Sequence, residues 1–248
     1  MIDSFERAGS AVKMARLREH FRMDIDRFFH ISLKNKYVFA QTPKVASSTL
    51  KSSLTKLEIT GTRINASEIG LHPTIVQSAH VKPYQLPEQT LSKIFFGKSF
   101  FRFCFVRHPY SRVLSAYLDK IVRNEPAGAR FRKEMGVAED YEVSYETFLL
   151  NLKDQRSCSD SWDPHWRPQF SLLRPDEIKY HLIGKLERFD ADFENLDKHL
   201  GGKLGAYQRQ SPHRTDANSV VERYMTKKNR KIIDEIYQID FEMFDYND

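Results

Sequence analysis

The chain has 248 residues, 40% apolar and 29% charged, which is ordinary for a globular protein and long enough to bury a sizeable core. No apolar run spans a bilayer, the charged stretch 1–21 is no signal peptide, and two cysteines, Cys104 and Cys158, make neither a disulfide framework nor a zinc site, so the expectation is a reducing, cytoplasmic setting. The net charge of +6 favours acidic ligands, but there is no helix-turn-helix, zinc-finger or aromatic RNA-binding motif, and nucleic acid is not an expected partner.

Met14, Leu17, Phe21, Ile25, Phe28 and Phe29 recur at helical spacing and predict an amphipathic helix over 11–29. This helix belongs to an N-terminal extension, residues 1–35, packed on a single domain that takes in all of 1–248. Tyr37–Ala40 then reads as a short strand. The chain breaks at Thr42-Pro43, passes through Lys44, and enters a helix that carries Leu50, Leu54 and Leu57 on one face. Strand, tight turn and helix N-terminus together build an anion site, because the first helical turn has unpaired N–H groups at the positive end of the macrodipole. Ser47, Ser48 and Thr49 add hydroxyl donors and Lys44 adds a full charge, which reads as a cradle for phosphate or sulfate. The plainer alternative is an N-capped helix after an edge strand, with Lys44 solvated.

Residues 58–99 are the least regular part of the chain, with His72-Pro73, Ala79-His80-Val81, Pro83 and Pro87. They predict a long ordered loop with short helices. Phe100–Arg107 is a second strand, followed through His108-Pro109 by a helix with Tyr110, Val113, Leu114, Tyr117, Leu118 and Ile121 on its apolar face. Arg107 thus sits at the carboxyl end of a strand, and Ser115 lies about two turns into the next helix. Ligands of open parallel sheets bind at such ends. Tyr145, Phe148, Leu149 and Leu152 mark a further helix, Asp163–Pro168 a loop, Lys179–Glu187 a third strand, and Phe189, Phe193, Leu196 and Leu200 another helix. Residues 205–218 read as a polar turn with Arg209, His213 and Arg214. A last helix covers 220–239, and Phe241, Phe244 and Tyr246 pack the end down. Alternating strands and helices predict the α/β class, a central parallel sheet flanked by helices.

Thr42-Pro43-Lys44-Val45-Ala46-Ser47-Ser48 resembles the 5′-phosphosulfate-binding segment of sulfotransferases. The run from Phe105 through Arg107-His108-Pro109 to Ser115-Ala116-Tyr117 resembles their 3′-phosphate-binding segment. Asp163-Pro164-His165-Trp166-Arg167-Pro168-Gln169, Ile183–Glu187 and Ile236–Phe241 are similar to segments of the Golgi-type carbohydrate sulfotransferases that modify chondroitin and dermatan. The resemblance covers roughly residues 36–246, with five motifs in the family's order. Animal members carry a membrane anchor and usually more cysteines, neither of which is read here, and often a Cys-Thr-Asn run after the lysine segment where Ser47-Ser48-Thr49 stands; a bacterial or otherwise soluble relative is the expectation.

The resemblance implies a P-loop-like fold and transfer of a sulfuryl group from 3′-phosphoadenosine 5′-phosphosulfate (PAPS) to an acceptor hydroxyl. The acceptor it implies is a carbohydrate, anionic ones included; a lipid or other small-molecule hydroxyl is the alternative. A non-enzymatic nucleotide-binding module is the rival class. The resemblance places the donor on Pro43, Lys44, Val45, Ala46, Ser47, Ser48, Thr49, Arg107 and Ser115. Arg107 suits phosphate through its planar fork of donors, and Lys44 suits charge developing on a leaving oxygen. No metal is called for, and no metal-ligand cluster stands in the sequence. A histidine is expected as general base. His80 comes first, because its segment resembles the catalytic histidine segment of uronyl 2-O-sulfotransferases, and His165 second. Trp166 is expected as a sugar platform, with His165 and Arg167 beside it on the acceptor. His72 and His108 are lesser candidates. Glu187 reads equally as a buried anchor for a cation or as a plain strand-end carboxylate. A Walker motif is excluded, since the lysine precedes the hydroxyl residues and no glycine lies between Tyr37 and Leu50.

Overall fold

The computed structural model describes residues 2–22, 24–69, 77–208 and 217–246. His72, Pro73, Arg209, His213 and Arg214 lie outside them. In chain order the elements are α1 (Ile2–Phe21), α2 (Asp24–Phe28), β1 (Phe29–Ser32), β2 (Tyr37–Ala40), α3 (Ser47–Ile59), α4 (Ala66–Ile69), α5 (Glu88–Phe96), β3 (Phe101–Val106), α6 (Pro109–Ala116), α7 (Pro126–Glu134), α8 (Tyr145–Asp154), α9 (Gln169–Leu173), β4 (Leu182–Lys185), α10 (Phe189–His199), α11 (Ala217–Tyr224) and α12 (Lys227–Met243). The class is α/β, as expected. No helix among the described residues is long and apolar enough to cross a membrane.

The sheet runs β1-β2-β3-β4. β2 and β3 are parallel, with Tyr37 opposite Phe101 and Ala40 opposite Cys104. β1 pairs with β2 in the antiparallel sense, Phe29 opposite Ala40. The helix expected over 11–29 therefore needs correcting: it breaks after Phe21, and Phe29 opens a strand. The four residues of β1 are all buried, and a strand covered on both faces leaves no alternation to distinguish it from a buried helix. β4 is also shorter than the strand expected over 179–187.

Internal contacts divide the chain into two units, Met1–Thr42, Ala46–Phe105 and Leu173–Gln210 in the first, Pro43–Val45, Val106–Leu172 and Ser211–Asp248 in the second. The first unit holds the sheet. Phe39 stacks on Phe103 at 5.3 Å and Phe29 packs on Phe95 at 5.2 Å, while Met14, Leu17 and Phe21 of α1 are buried. Each such side chain stabilises the fold by about 1.5–3 kcal/mol on burial. In β4, a Cβ at Gly184 would come within 2.5 Å of the Phe105 ring, so the expected Ile-Gly-Lys-Leu-Glu segment needs its glycine for close packing.

The second unit is helical. Phe131 and Phe148 meet the Trp166 ring edge-on, each at 5.7 Å, and α12 adds buried Ile232, Ile233, Ile236 and Tyr237. His108 caps α6, its Nδ1 accepting from the Tyr110 N–H, and Pro109 takes the first position, where a missing N–H costs nothing. After Ala116 the helix widens into a π-helical turn, Tyr117–Val122. Such turns are frequent at functional sites. This one carries Asp119, a buried carboxylate.

Candidate active site

Sequence separates the lysine loop, the arginine strand end and the Asp-Pro-His-Trp segment widely; the second unit joins them. Lys44 has φ +70°, and Ala46 just beyond it has φ +60°. A left-handed backbone at a residue with a Cβ costs about 1–2 kcal/mol and persists where its surroundings fix it. Here two arginines do so from the next motif. Arg107 Nη1 donates to the Lys44 carbonyl at 3.3 Å, and Arg112 Nε donates to the Pro43 carbonyl at 3.3 Å. Arg112 is 1% exposed and also donates to the carbonyls of Arg167 at 2.8 Å and Pro164 at 3.0 Å. One guanidinium therefore ties the lysine loop to the histidine segment.

The rest of the frame is equally polar and equally buried. The Gln169 amide exchanges two hydrogen bonds with the Arg107 backbone, both 2.9 Å. Asp240 accepts the N–H groups of Gln169 and Phe170 on its two oxygens, each at 2.8 Å, and Tyr237 donates to the Trp166 carbonyl at 2.6 Å. Fully satisfied networks of this kind rigidify a site. Four of the five motifs thus meet in one unit, and Arg112, Gln169, Tyr237 and Asp240 join them. In the sequence these residues stand within the motifs with no role of their own; an arginine and an aspartate at buried helical positions are the signal that marks them.

On this frame Arg107 Nε donates to Ser111 Oγ at 2.9 Å, and Ser115 is buried on α6. Lys44 Nζ pairs with Asp119 Oδ2 at 2.8 Å. Burial lowers the Lys44 pKa, against the opposing pull of Asp119, and Lys120 and Arg107 lower it further. His165 stands in the same electrostatic field. Its Nδ1 lies 2.6 Å from Asp163 Oδ1, and the other carboxylate oxygen of Asp163 accepts from Arg130 at 2.6 Å. Burial would raise the Asp163 pKa, but hydrogen bonds from His165 and Arg130 hold it well below the usual carboxylate range. An ionised carboxylate only accepts, so Nδ1 carries the proton and Nε2 keeps the lone pair. Burial lowers the His165 pKa, Asp163 raises it, and the positive charges of Lys120 and Lys44 lower it. The result is a neutral imidazole, 25% exposed, oriented by a carboxylate and sensing the lysine charge.

The other expected residues fall elsewhere. Pro43 and Val45 are buried beside Lys44 in the loop. Ser47, Ser48 and Thr49 form the first turn of α3 in the first unit, where no side chain caps the helix; Ser47 Oγ donates to the Thr42 carbonyl, and Thr49 is buried. His80, also in the first unit, is 5% exposed, and its Nε2 lies 2.8 Å from Tyr37 Oη, which donates to Glu58 at 3.0 Å. Burial first, and the Lys82 charge second, push its pKa down to about 3. Trp166 corrects an expectation: it is 3% exposed and fills the core against Phe131 and Phe148, so its faces are not a sugar platform. Arg167 donates through Nε and Nη2 to the Trp162 carbonyl. Glu187 is exposed in the turn after β4, so it is not a buried anchor. His108 serves as the cap of α6. Among the described residues no cluster of three His, Cys, Asp or Glu could hold a metal.

Comparison with known proteins gives a consistent match. Residues 10–247 fit the model of the sulfotransferase family. Carbohydrate sulfotransferase 10 of Rattus norvegicus is 31% identical over 245 residues, covering 90% of this chain and 67% of the relative. Carbohydrate sulfotransferase 11 of Rattus norvegicus is 25% identical over 265 residues, covering 97% and 72%. Carbohydrate sulfotransferase 14 of Danio rerio is 24% identical over 229 residues, covering 86% and 60%. No solved structure matches the chain.

Proposed function

The chain belongs to the sulfotransferase family, and from that premise we propose that it moves a sulfuryl group from PAPS to a carbohydrate hydroxyl, with His165 as general base. The observation that carries this reading is an imidazole oriented by a carboxylate, His165 on Asp163, in a segment that Arg112 ties to the Lys44 loop. The residues fit a donor with two anionic ends. Arg107 and Ser115 offer a guanidinium fork and a hydroxyl to a 3′-phosphate, and Lys44 offers a charge to the 5′-phosphosulfate.

In this reading His165 Nε2 takes the acceptor's hydroxyl proton as that oxygen attacks sulfur. The bond between sulfur and the bridging oxygen breaks, and Lys44 meets the negative charge left on that oxygen. Asp163 stabilises the imidazolium that forms. Loose transfer of this type depends mainly on positioning and electrostatics, by analogy with phosphoryl transfer. The names of the similar proteins support a carbohydrate acceptor.

The test is mass-detected sulfate transfer from PAPS to a panel of glycans, with lipid and phenol acceptors alongside. Transfer to a glycan hydroxyl is expected. Transfer confined to lipids or phenols overturns the acceptor, and nucleotide binding without transfer to any class favours a binding module.

A further inference from the structure

Asp119 is the residue of this cluster that the proposed chemistry leaves unused, and its surroundings are unusual for a buried carboxylate. Its side chain is 6% exposed. Oδ2 receives Lys44 Nζ at 2.8 Å and Lys120 Nζ at 3.1 Å; Oδ1 has Arg123 Nη1 at 3.6 Å and no hydrogen bond. Asp240 in the same unit shows the structural pattern instead, with both oxygens on backbone N–H groups. Among the described residues, the ion-pair partners of Asp119 are all long flexible cations. It also stands in the π-helical turn Tyr117–Val122, immediately after the helix that carries Ser115.

Lys44 cannot give its charge to a carboxylate and to a phosphosulfate at once without dividing it. Its backbone is pinned by Arg107 and Arg112, so only the side chain can change partners. We propose that Asp119 is a positioning residue that holds the Lys44 ammonium in the donor-free protein and yields it to the phosphosulfate when the nucleotide binds. Lys120 and Arg123 remain to neutralise the carboxylate after the exchange, so no buried charge is left bare. The π-helical turn carries Lys120 and is followed directly by Arg123, so two of the three cations are neighbours of the carboxylate in sequence. This inference rests on the donor reading above.

The experiment is calorimetry with 3′-phosphoadenosine 5′-phosphate on the wild type, Asp119→Asn, Lys44→Ala and the double variant. Asp119→Asn should tighten the nucleotide about tenfold, since the competing anion is gone, and the gain should vanish in the Lys44→Ala background. Product release should slow accordingly, lowering kcat while kcat/KM for the donor is kept. An unchanged or weaker affinity in a folded Asp119→Asn overturns the proposal, and so does an equal gain with Lys44 absent, which would be a net-charge effect. Carbon-13 NMR of the wild-type Asp119 carboxyl covers the case of an unfolded variant: its resonance should shift on nucleotide addition, and a fixed resonance counts against the exchange. If the wild type binds no nucleotide, it is the donor reading that fails.

Discussion

The two units each hold a histidine on a hydrogen-bonding partner; both imidazoles have lowered pKa values, but only in the second unit does a carboxylate oppose the shift. In the first unit His80 leans on Tyr37, a neutral hydroxyl, with Lys82 nearby; every influence on it disfavours a proton. In the second, His165 leans directly on the carboxylate of Asp163, which offsets part of the desolvation and fixes the tautomer. A base must be neutral at rest and still accept a proton at moderate cost. An imidazole with its pKa pushed down to about 3 meets the first condition easily and the second only at a higher cost, which supports the proposed choice of His165. The contrast shows that a motif marks a histidine, and its neighbours decide the use.

Exchanging the roles breaks this comparison most directly. His165→Ala should lower kcat by about a hundredfold to ten-thousandfold, the usual worth of a positioned base, and leave nucleotide affinity intact. His80→Gln should keep turnover within a few-fold, roughly the scale of a modest packing change. Steady-state kinetics on both variants decides the matter; the reverse pattern would return the base to His80. Lys44→Ala comes next, with kcat down roughly a hundredfold as leaving-group charge goes unmet. A change in KM alone would make the lysine a ground-state binder.

Smaller effects sharpen the contrast. Asp163→Asn removes the group that raises the His165 pKa, and should cost about tenfold to a hundredfold in kcat, the scale seen when an orienting partner is lost. The rate should rise with pH through the His165 pKa, since the neutral ring is the active form. In wild type that inflection should lie below the ordinary 6.5, and Asp163→Asn should move it lower still. An unmoved inflection in the variant would detach the profile from His165. The mildest effect concerns stability. His80 takes up a proton when unfolded but not when folded, so stability should fall as pH drops from 6.5 towards about 3. His80→Gln should flatten that part of a denaturation series; an unchanged slope would mean that other groups carry it.

What could be read from sequence was local. The β2–loop–α3 arrangement around Lys44 and the β3–α6 arrangement around Arg107 follow from strand formers, a proline and a helical apolar stripe within a few residues. The partners of these groups are remote. Asp119 lies 75 residues from Lys44, and Asp240 lies 71 from Gln169, so no window of pattern contains either pair. Trp166 is ambiguous in sequence for the same reason: an aromatic beside a histidine suits a platform or a core equally, and its contacts with Phe131 and Phe148 distinguish them. β1 escaped because burial on both faces erases its alternation.

The frame around Arg112 has a bearing on biosynthesis. The lysine loop, the two middle motifs and α12 belong to one unit although they are made at widely separated times on the ribosome. The sheet strands β1, β2 and β3 emerge early and can pair as they leave. The Lys44 loop stays without its anchors until Arg112 has been made, and Gln169 stays unseated until Asp240 follows. A chain halted before α12 would own the reactive lysine and lack the scaffold that aims it. On the proposed reading, capture of the donor therefore waits until α12 has been made and Asp240 has seated Gln169.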